Sequence, residues 1–502
     1  MFEDVALRCL RIQEVLEIVM GDLHEGRNGR ASVARMARTC KTFHFVAVAV
    51  LWQHIGGLVP LMSTIPGHVW EKDQRRRELL WEQPNTNRLD VSRLAFYASH
   101  IKCFTWKFDR TVNIYSAGKF LRGIPQSMVL FPAVHTIWFQ DDKEWFGLLV
   151  HSHIFAGPAV EELYINACAY DAEPLFQRAN RLFPRLSRLH LTGPSSSAKW
   201  PPPTLTEDTV RPLATTHISH FDANDQLSLS GLIVLGGIPT LEHVVVRLDP
   251  KRCGSSFTAP LADGHCFPAL KTLQLHTGLI NEITLALVEA ISSPSLQRFE
   301  LTVKARVYRH LGEEVLFAHL EALSRAPFRT ALRDLKLYLA HKESLEPNFT
   351  VGIQILRPLL GRLNGLVSLQ IFSDMIVLDN ATCQGIAEAF PLLKLLTLTY
   401  EGVGSYAGQV HTGGDQLEAQ RAASLEGLAF IVKHCRQLTD LRIPVQILCG
   451  KIPAFPSAEE VSTTIERGAL TLRVAPFTWE RVKQYLDVLL PPWQTMANVS
   501  FT

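Results

Sequence analysis

Apolar positions along most of this chain follow one short pattern: an apolar residue, two variable residues, an apolar residue, one variable residue and a third apolar residue. Phe267-Pro-Ala-Leu-Lys-Thr-Leu-Gln-Leu275 is the clearest case, and Phe183-Pro-Arg-Leu-Ser-Arg-Leu-His-Leu191 and Phe390-Pro-Leu-Leu-Lys-Leu-Leu-Thr-Leu398 repeat it closely. The first apolar position falls at Ile101, Val134, Val160, Leu186, Ile218, Leu241, Leu270, Leu296, Leu332, Leu366, Leu393 and Leu438, at intervals of 23 to 45 residues. Side chains alternate faces along a strand, so the fourth and sixth positions, such as Leu273 and Leu275, point inward together. The residues between them point outward. Each unit then holds one short apolar strand that it cannot bury alone, and stacking neighbours buries a continuous core.

Several intervals match the roughly 20–29 residues of a leucine-rich repeat, and the longer ones require insertions. The expected fold class is therefore α/β: an irregular leucine-rich-repeat horseshoe of short parallel strands with helices on the convex side. An ordinary α/β domain whose strands open with Pro-x-Leu is the alternative. Helical patterns alternate with the strands at Asn281–Ile291, Glu313–Arg325, Gln354–Leu363, Gln384–Phe390 and Ser424–His434, and Pro358 should end one of them. Gly193–Pro203, Arg252–His265 and Tyr400–Gln416 read as loops by composition. Ala469–Val474 reads as a last strand, followed by an amphipathic helix over Trp479–Leu490. Most repeats lack the Asn or Cys that usually follows the last strand leucine, which predicts irregular turns.

The N-terminal region has a different period. Ile12, Val15, Leu16, Val19, Met20 and Leu23 recur at helical spacing. A break with Gly26, Asn28 and Gly29 follows, then a helical pattern over Ala31–Arg38 and a third apolar segment ending at Leu51-Trp52. So small a unit buries a marginal core and leans on a neighbour or a partner. The expected organisation is a helical unit at 1–61, a helical connector at 62–98, the repeats at 99–490 and a tail at 491–502. Glu71–Glu78 is a mixed charge run, expected as a solvated helix or loop.

Leu10-Arg-Ile-Gln-Glu-Val-Leu-Glu-Ile-Val-Met20, followed by Val33, Thr39-Cys40-Lys41, Phe43 and Leu51-Trp52, resembles an F-box. Glu14, Val15, Leu16, Val19, Cys40, Lys41, Phe43, Leu51 and Trp52 match that family's pattern. Arg11-Ile12 stands where the family has Leu-Pro, and Thr39 where it has Val. With the repeats, the resemblance is to F-box leucine-rich-repeat proteins of the fungal type, the substrate receptors of cullin–RING ubiquitin ligases. It implies that Leu10, Val15, Leu16, Val19, Cys40, Leu51 and Trp52 hold or contact a Skp-type adaptor. It implies further that the repeats hold a protein client while partners perform ubiquitin transfer. A repeat scaffold without an adaptor is the rival reading.

Composition narrows the alternatives. A net charge of +2 gives no reason to expect a nucleic acid or an anionic membrane as partner. The nine cysteines are odd in number, scattered and without a Cys-x-x-Cys, which reads as reduced thiols. The acidic start Met1-Phe-Glu-Asp4 is unlike a signal peptide, and Val46–Trp52 is too short to span a bilayer, so a cytoplasmic or nuclear location is expected.

Candidate chemistry is sparse. His151-Ser-His153 near Asp141-Asp142 lacks a third metal ligand at a defined spacing. His265-Cys266 suggests an activated thiol, but Phe267 opens a repeat and makes Cys266 a packing residue. Gly402-Val-Gly404-Ser-Tyr-Ala-Gly408 has the wrong spacing for a nucleotide loop. No enzyme signature and no cofactor site is expected.

The candidate site is instead a surface, the outward positions of the strands. One column reads Trp138, Tyr164, His190, Asp222, Val245, Gln274, Glu300, Lys336, Gln370, Thr397 and Arg442. The column before it includes Glu162, Arg188, His220, His243, Arg298, Asp334 and Asp440. Tyr, Trp and Arg are the residues that carry most protein–protein binding energy. Trp138, Tyr164, Arg188, His190, His220, Gln274, Arg298, Glu300 and Lys336 are the residues expected to meet a client.

Overall fold

The computed structural model describes residues 12–65, 70–73, 78–81, 91–106, 114–125, 128–139, 155–166, 169–192, 204–248, 266–305, 313–341, 351–373, 376–399, 423–447, 467–474, 479–490 and 497–501. The chain is a mixed α/β protein with an open sheet of parallel strands, and it divides into two compact units, Met1–Asp225 and Gln226–Thr502.

The first unit opens with three helices, α1 (Gln13–Glu25), α2 (Gly29–Met36) and α3 (Lys41–Trp52). Leu16 and Met20 from α1, Val33 from α2, and Val46 and Ala47 from α3 form their common core with Ala37. The α1–α2 corner requires Gly29, since a Cβ there would lie 1.9 Å from the His24 carbonyl oxygen. None of the three helices has a side-chain cap. Strand β1 (His54–Gly56) follows α3 directly. The expected helical connector is in part a hairpin: β2 (Trp70–Asp73) pairs antiparallel with β3 (Glu78–Trp81), so the charge run holds extended backbone at both ends. Helix α4 (Ser92–Ala98) completes the connector.

The repeats begin at β4 (Cys103–Trp106), followed by α5 (Ile114–Gly123), β5 (Thr136–Phe139), β6 (Glu162–Ile165) and α6 (Ala169–Phe176). The short strands β7 (Arg188–Leu191) and β8 (Thr204–Leu205) precede β9 (His220–Leu227). The order is β1-β4-β5-β6-β7-β9, every neighbouring pair parallel, with β8 pairing β9 off that path.

In the second unit α7 (Leu229–Gly236) leads to β10 (His243–Leu248), β11 (Thr272–Thr277), α8 (Glu282–Ala290), β12 (Arg298–Ala305) and α9 (Glu313–Arg325). Then come β13 (Asp334–His341), β14 (Ser368–Ser373), α10 (Asn380–Ala389), β15 (Leu395–Thr399), α11 (Leu425–His434), β16 (Asp440–Ile447), β17 (Arg467–Val474), α12 (Trp479–Leu489) and β18 (Ala497–Phe501). Strands β10 to β18 pair in sequence order and in parallel throughout. The closing segment expected as a tail thus contributes a strand. The helix expected over Gln354–Leu363 is one turn, Ile353–Leu356, ending two residues before Pro358 as that ring demands.

Four helices of this unit start on a side-chain cap: Ser228, Asn281, Asp379 and Ser424 each accept a first-turn backbone N–H.

The twelve repeat positions keep one register. Every first apolar residue from Ile101 to Leu438 is buried, and so are its partners at the fourth and sixth positions, from Phe104 and Trp106 to Leu441 and Ile443. Slipping any strand by one residue would turn its whole apolar set outward, which is why the register survives irregular turns.

Candidate functional site

The outward residues of the strands line up as the repeat register predicts. In the first unit Thr105, Trp138, Tyr164, His190 and Asp222 face one another across β4, β5, β6, β7 and β9. Cys103, Thr136, Glu162, Arg188 and His220 form the adjacent column.

The first of these columns is a stack. The rings of Trp138 and Tyr164 lie 3.7 Å apart and 7° from parallel, and those of Tyr164 and His190 lie 4.3 Å apart at 5°. Parallel strands in register place equivalent side chains directly beside one another, so flat side chains meet face to face. The ring faces are therefore spent on each other, and ring edges are what the stack offers outward. His190 closes it by donating from Nδ1 to Asp222 Oδ2 at 3.3 Å. A carboxylate only accepts, so the proton sits on Nδ1, and in the neutral imidazole Nε2 is an acceptor.

In the adjacent column Arg188 pairs with Glu162, which also accepts from Thr136 Oγ1 at 3.3 Å. Ser219 Oγ lies 2.8 Å from His220 Nδ1. Burial, and secondarily the Glu162 carboxylate, pushes the Tyr164 hydroxyl above its usual range, so it stays protonated at neutral pH.

The second unit builds the same positions from ion pairs. Lys336 lies 3.1 Å from Glu300, and Arg298 lies 3.8 Å from Asp334. Arg442 lies 3.2 Å from Asp440, and Gln370 donates to Ser368 at 3.2 Å. Gln274 stands between Val245 and Glu300 in the same column. Lys336 also sits 5.8 Å from the centre of the Phe372 ring, which packs against Tyr338. Phe372 and Tyr338 occupy the next outward position along their strands. That position escaped the sequence reading because only the first two outward columns follow from the apolar triplet.

The helical unit presents a second surface. Leu16 is 1% exposed, and Leu51 and Trp52 are half-buried, Trp52 stacking on Tyr97 at 4.5 Å. The first is therefore a core residue that positions the surface rather than forming it. Val15 is half-buried, whereas Cys40, at the start of α3, is exposed. Val19 is exposed and has company: Ile12, Ile18 at 65%, Leu23 and Phe45 at 58%. Five of the nine exposed large hydrophobic residues among the described residues thus lie on α1, at its start, or on α3. The helical period of α1 signalled Ile12, Val19 and Leu23, but Ile18 and Phe45 lie off that stripe and nothing in the pattern marked them.

The remaining candidates carry no chemistry that the structure brings together. Leu10, Asp141, Asp142, His151, His153, His265 and Gly402–Gly408 lie outside the described residues. Cys266 is buried, and burial pushes its thiol up, away from the reactive thiolate. Among the described residues no group of three His, Cys, Asp or Glu side chains is placed to hold a metal ion. Nor, among them, is any helix long and apolar enough to cross a membrane. No protein-family model matches the chain, and neither does any curated protein.

Proposed function

We propose that this protein is a non-catalytic substrate receptor of a cullin–RING ubiquitin ligase, an F-box-like helical unit joined to leucine-rich-repeat-like strands. The observation that carries this reading is the apolar surface of the helical unit. Ile12, Ile18, Val19, Leu23 and Phe45 are gathered on about 35 residues of chain, far denser than the scattered exposed apolar residues normal for a protein surface. A Skp-type adaptor covering them would add to so small and uncapped a core a second neighbour beside α4, on which Trp52 stacks. The strand faces hold the client, and transfer is promoted by the high effective concentration that tethering creates.

The test is a pull-down of a purified Skp-type adaptor by the full chain, comparing wild type with Ile18→Asp and Val19→Asp. Both side chains are exposed, so the variants keep the fold, whereas Leu16→Asp would bury a charge and unfold the helices. Loss of capture in both folded variants supports the adaptor site. Failure of the folded wild type to capture the adaptor leaves a protein-binding repeat scaffold.

A further inference from the structure

The two units differ in how charge is balanced on their outward columns. In the second unit the charged side chains described in the two columns pair with their opposites: Arg298 with Asp334, Lys336 with Glu300, Arg442 with Asp440. One step further along the strands stands Arg247, which is exposed. In the first unit the columns hold two carboxylates, Glu162 and Asp222, against one guanidinium. Arg188 is committed to Glu162, and Asp222 has only the imidazole of His190. The position before the columns adds one charge of each sign, Lys102 and Glu161. Among the described residues the position after them adds Asn166, Thr192 and Asn224, which are uncharged. The Asp222 side chain is 38% exposed, at the end of the stacked rings.

The rings add polarity to this. Neither the Trp138 indole N–H nor the Tyr164 hydroxyl has a hydrogen-bond partner among the described residues, and both rings are half-exposed. Their faces are covered by each other and by His190. The stack thus supplies an edge with two unused donors on neighbouring strands. A bound chain would meet donors for its carbonyl oxygens along the rings and, at the Asp222 end, a half-exposed carboxylate whose one partner among the described residues is the His190 imidazole.

We infer that the outward face of β5, β6, β7 and β9 takes an extended peptide segment bearing a lysine or arginine side chain, with the cation seated on Asp222 and the backbone against the edges of Trp138 and Tyr164. This deepens the proposed function by assigning the client's recognised segment a chemistry, and it rests on that reading only for the word client. Binding to this face and adaptor capture by α1 are measured separately, so either can fail alone. Cationic recognition by a half-exposed carboxylate beside polar ring edges weakens with salt, because the pair is screened over about 8–10 Å at physiological ionic strength. An arginine would gain most, its fork matching a carboxylate with two parallel hydrogen bonds.

Fluorescence anisotropy on the full chain tests this with three labelled ten-residue probes, alternating Gly or Ser with Arg, with Glu, or with Gln. The Arg probe should bind, with affinity falling as salt rises, and the Glu and Gln probes should bind at least tenfold more weakly. Asp222→Asn should weaken the Arg probe about tenfold, a loss of about 1.4 kcal/mol. Trp138→Phe keeps a ring in the stack and removes the indole donor, and should weaken it about threefold. Glu388→Gln, at an exposed position on helix α10 outside both columns, should leave it unchanged. The inference is overturned if the Glu or Gln probe binds as well as the Arg probe or if no probe binds. It is equally overturned if Asp222→Asn, shown folded by its thermal melt, leaves the Arg probe's affinity unchanged.

Discussion

The same register builds two unlike surfaces. On the first unit the outward column is a stack of rings ending in a carboxylate, and on the second it is a set of matched ion pairs. The inward columns of both are nearly uniform in Leu, Ile, Val and Phe. The difference teaches where identity is free to vary. Inward positions answer to burial and tolerate only apolar side chains, whereas outward positions answer to whatever the face meets. Half-exposed ion pairs contribute little to stability, typically below about 1 kcal/mol. The second unit's columns therefore read as a solvated face in which charges neutralise one another. The first unit's columns hold Trp138 and Tyr164, of the residue types that carry binding energy, side by side.

The largest effect should come from crossing from the outward to the inward side of one strand pair. Phe104 is fully buried and its ring stacks on Phe131 at 4.7 Å and Phe155 at 5.5 Å. Phe104→Ala should cost about 3–5 kcal/mol in chemical denaturation, against about 1 kcal/mol for Trp138→Ala on the open face. Equal losses would mean that the stack is a structural element and not a spare surface.

The second contrast is in pH response. Asp225, in the first unit, takes the inward side of β9 with Phe221, Ala223 and Leu227; it is 3% exposed, and its Oδ2 has no hydrogen-bond partner. Burial raises its carboxyl from 3.8 to about 6. A group with a raised folded value favours the protonated native state. The first unit therefore gains stability, up to about 2–3 kcal/mol, as pH falls through 6 toward 4, and that gain is lost as pH rises through 6. His319, in the second unit, has the opposite sign. It is 2% exposed, donates from Nδ1 to the Val315 carbonyl and lies 2.8 Å from Thr284 Oγ1 through Nε2. Burial lowers its value, with partial opposition from the Val315 carbonyl. Its contribution is present above 6.5 and is lost as pH falls through the lowered folded value.

Hydrogen exchange read segment by segment between pH 7.5 and 5 should show β9 gaining protection while α8 and α9 lose it, after correction for the intrinsic rate. Asp225→Asn should flatten the first trend and His319→Gln the second. Parallel trends in both units would break the comparison.

The smallest effect is expected at the matched pairs. Lys336→Met removes the partner of Glu300 and the charge over Phe372, yet should shift the unfolding midpoint by less than the equivalent of about 1 kcal/mol. A larger loss would make the second unit's ion pairs a structural network and remove the ground for calling its face neutral and solvated.

The chain order of polar and apolar residues determined by itself the strand positions, their register and the two outward columns, because alternation in a strand is a local property and a one-residue slip is punished at every repeat. It marked α8, α9 and α11 almost to their ends, since caps at Asn281 and Ser424 and a 3.6-residue period are also local. The hairpin at Trp70–Trp81 and the strand Ala497–Phe501 were not legible. Their apolar residues are too few to set a period: the first is a local pairing of two short strands in a run of mixed charge, and the second pairs with β17, brought from elsewhere in the chain.

The site divides in the same way. Which residues share a column could be read from spacing. That Trp138, Tyr164 and His190 stack with parallel planes, that Arg188 takes Glu162, and that Leu16 is interior while Ile18 is exposed were decided by the tertiary structure. Spacing names the face a side chain shares. Its partner, its burial and its remaining hydrogen-bonding capacity depend on what neighbouring strands and helices bring to within a few ångströms.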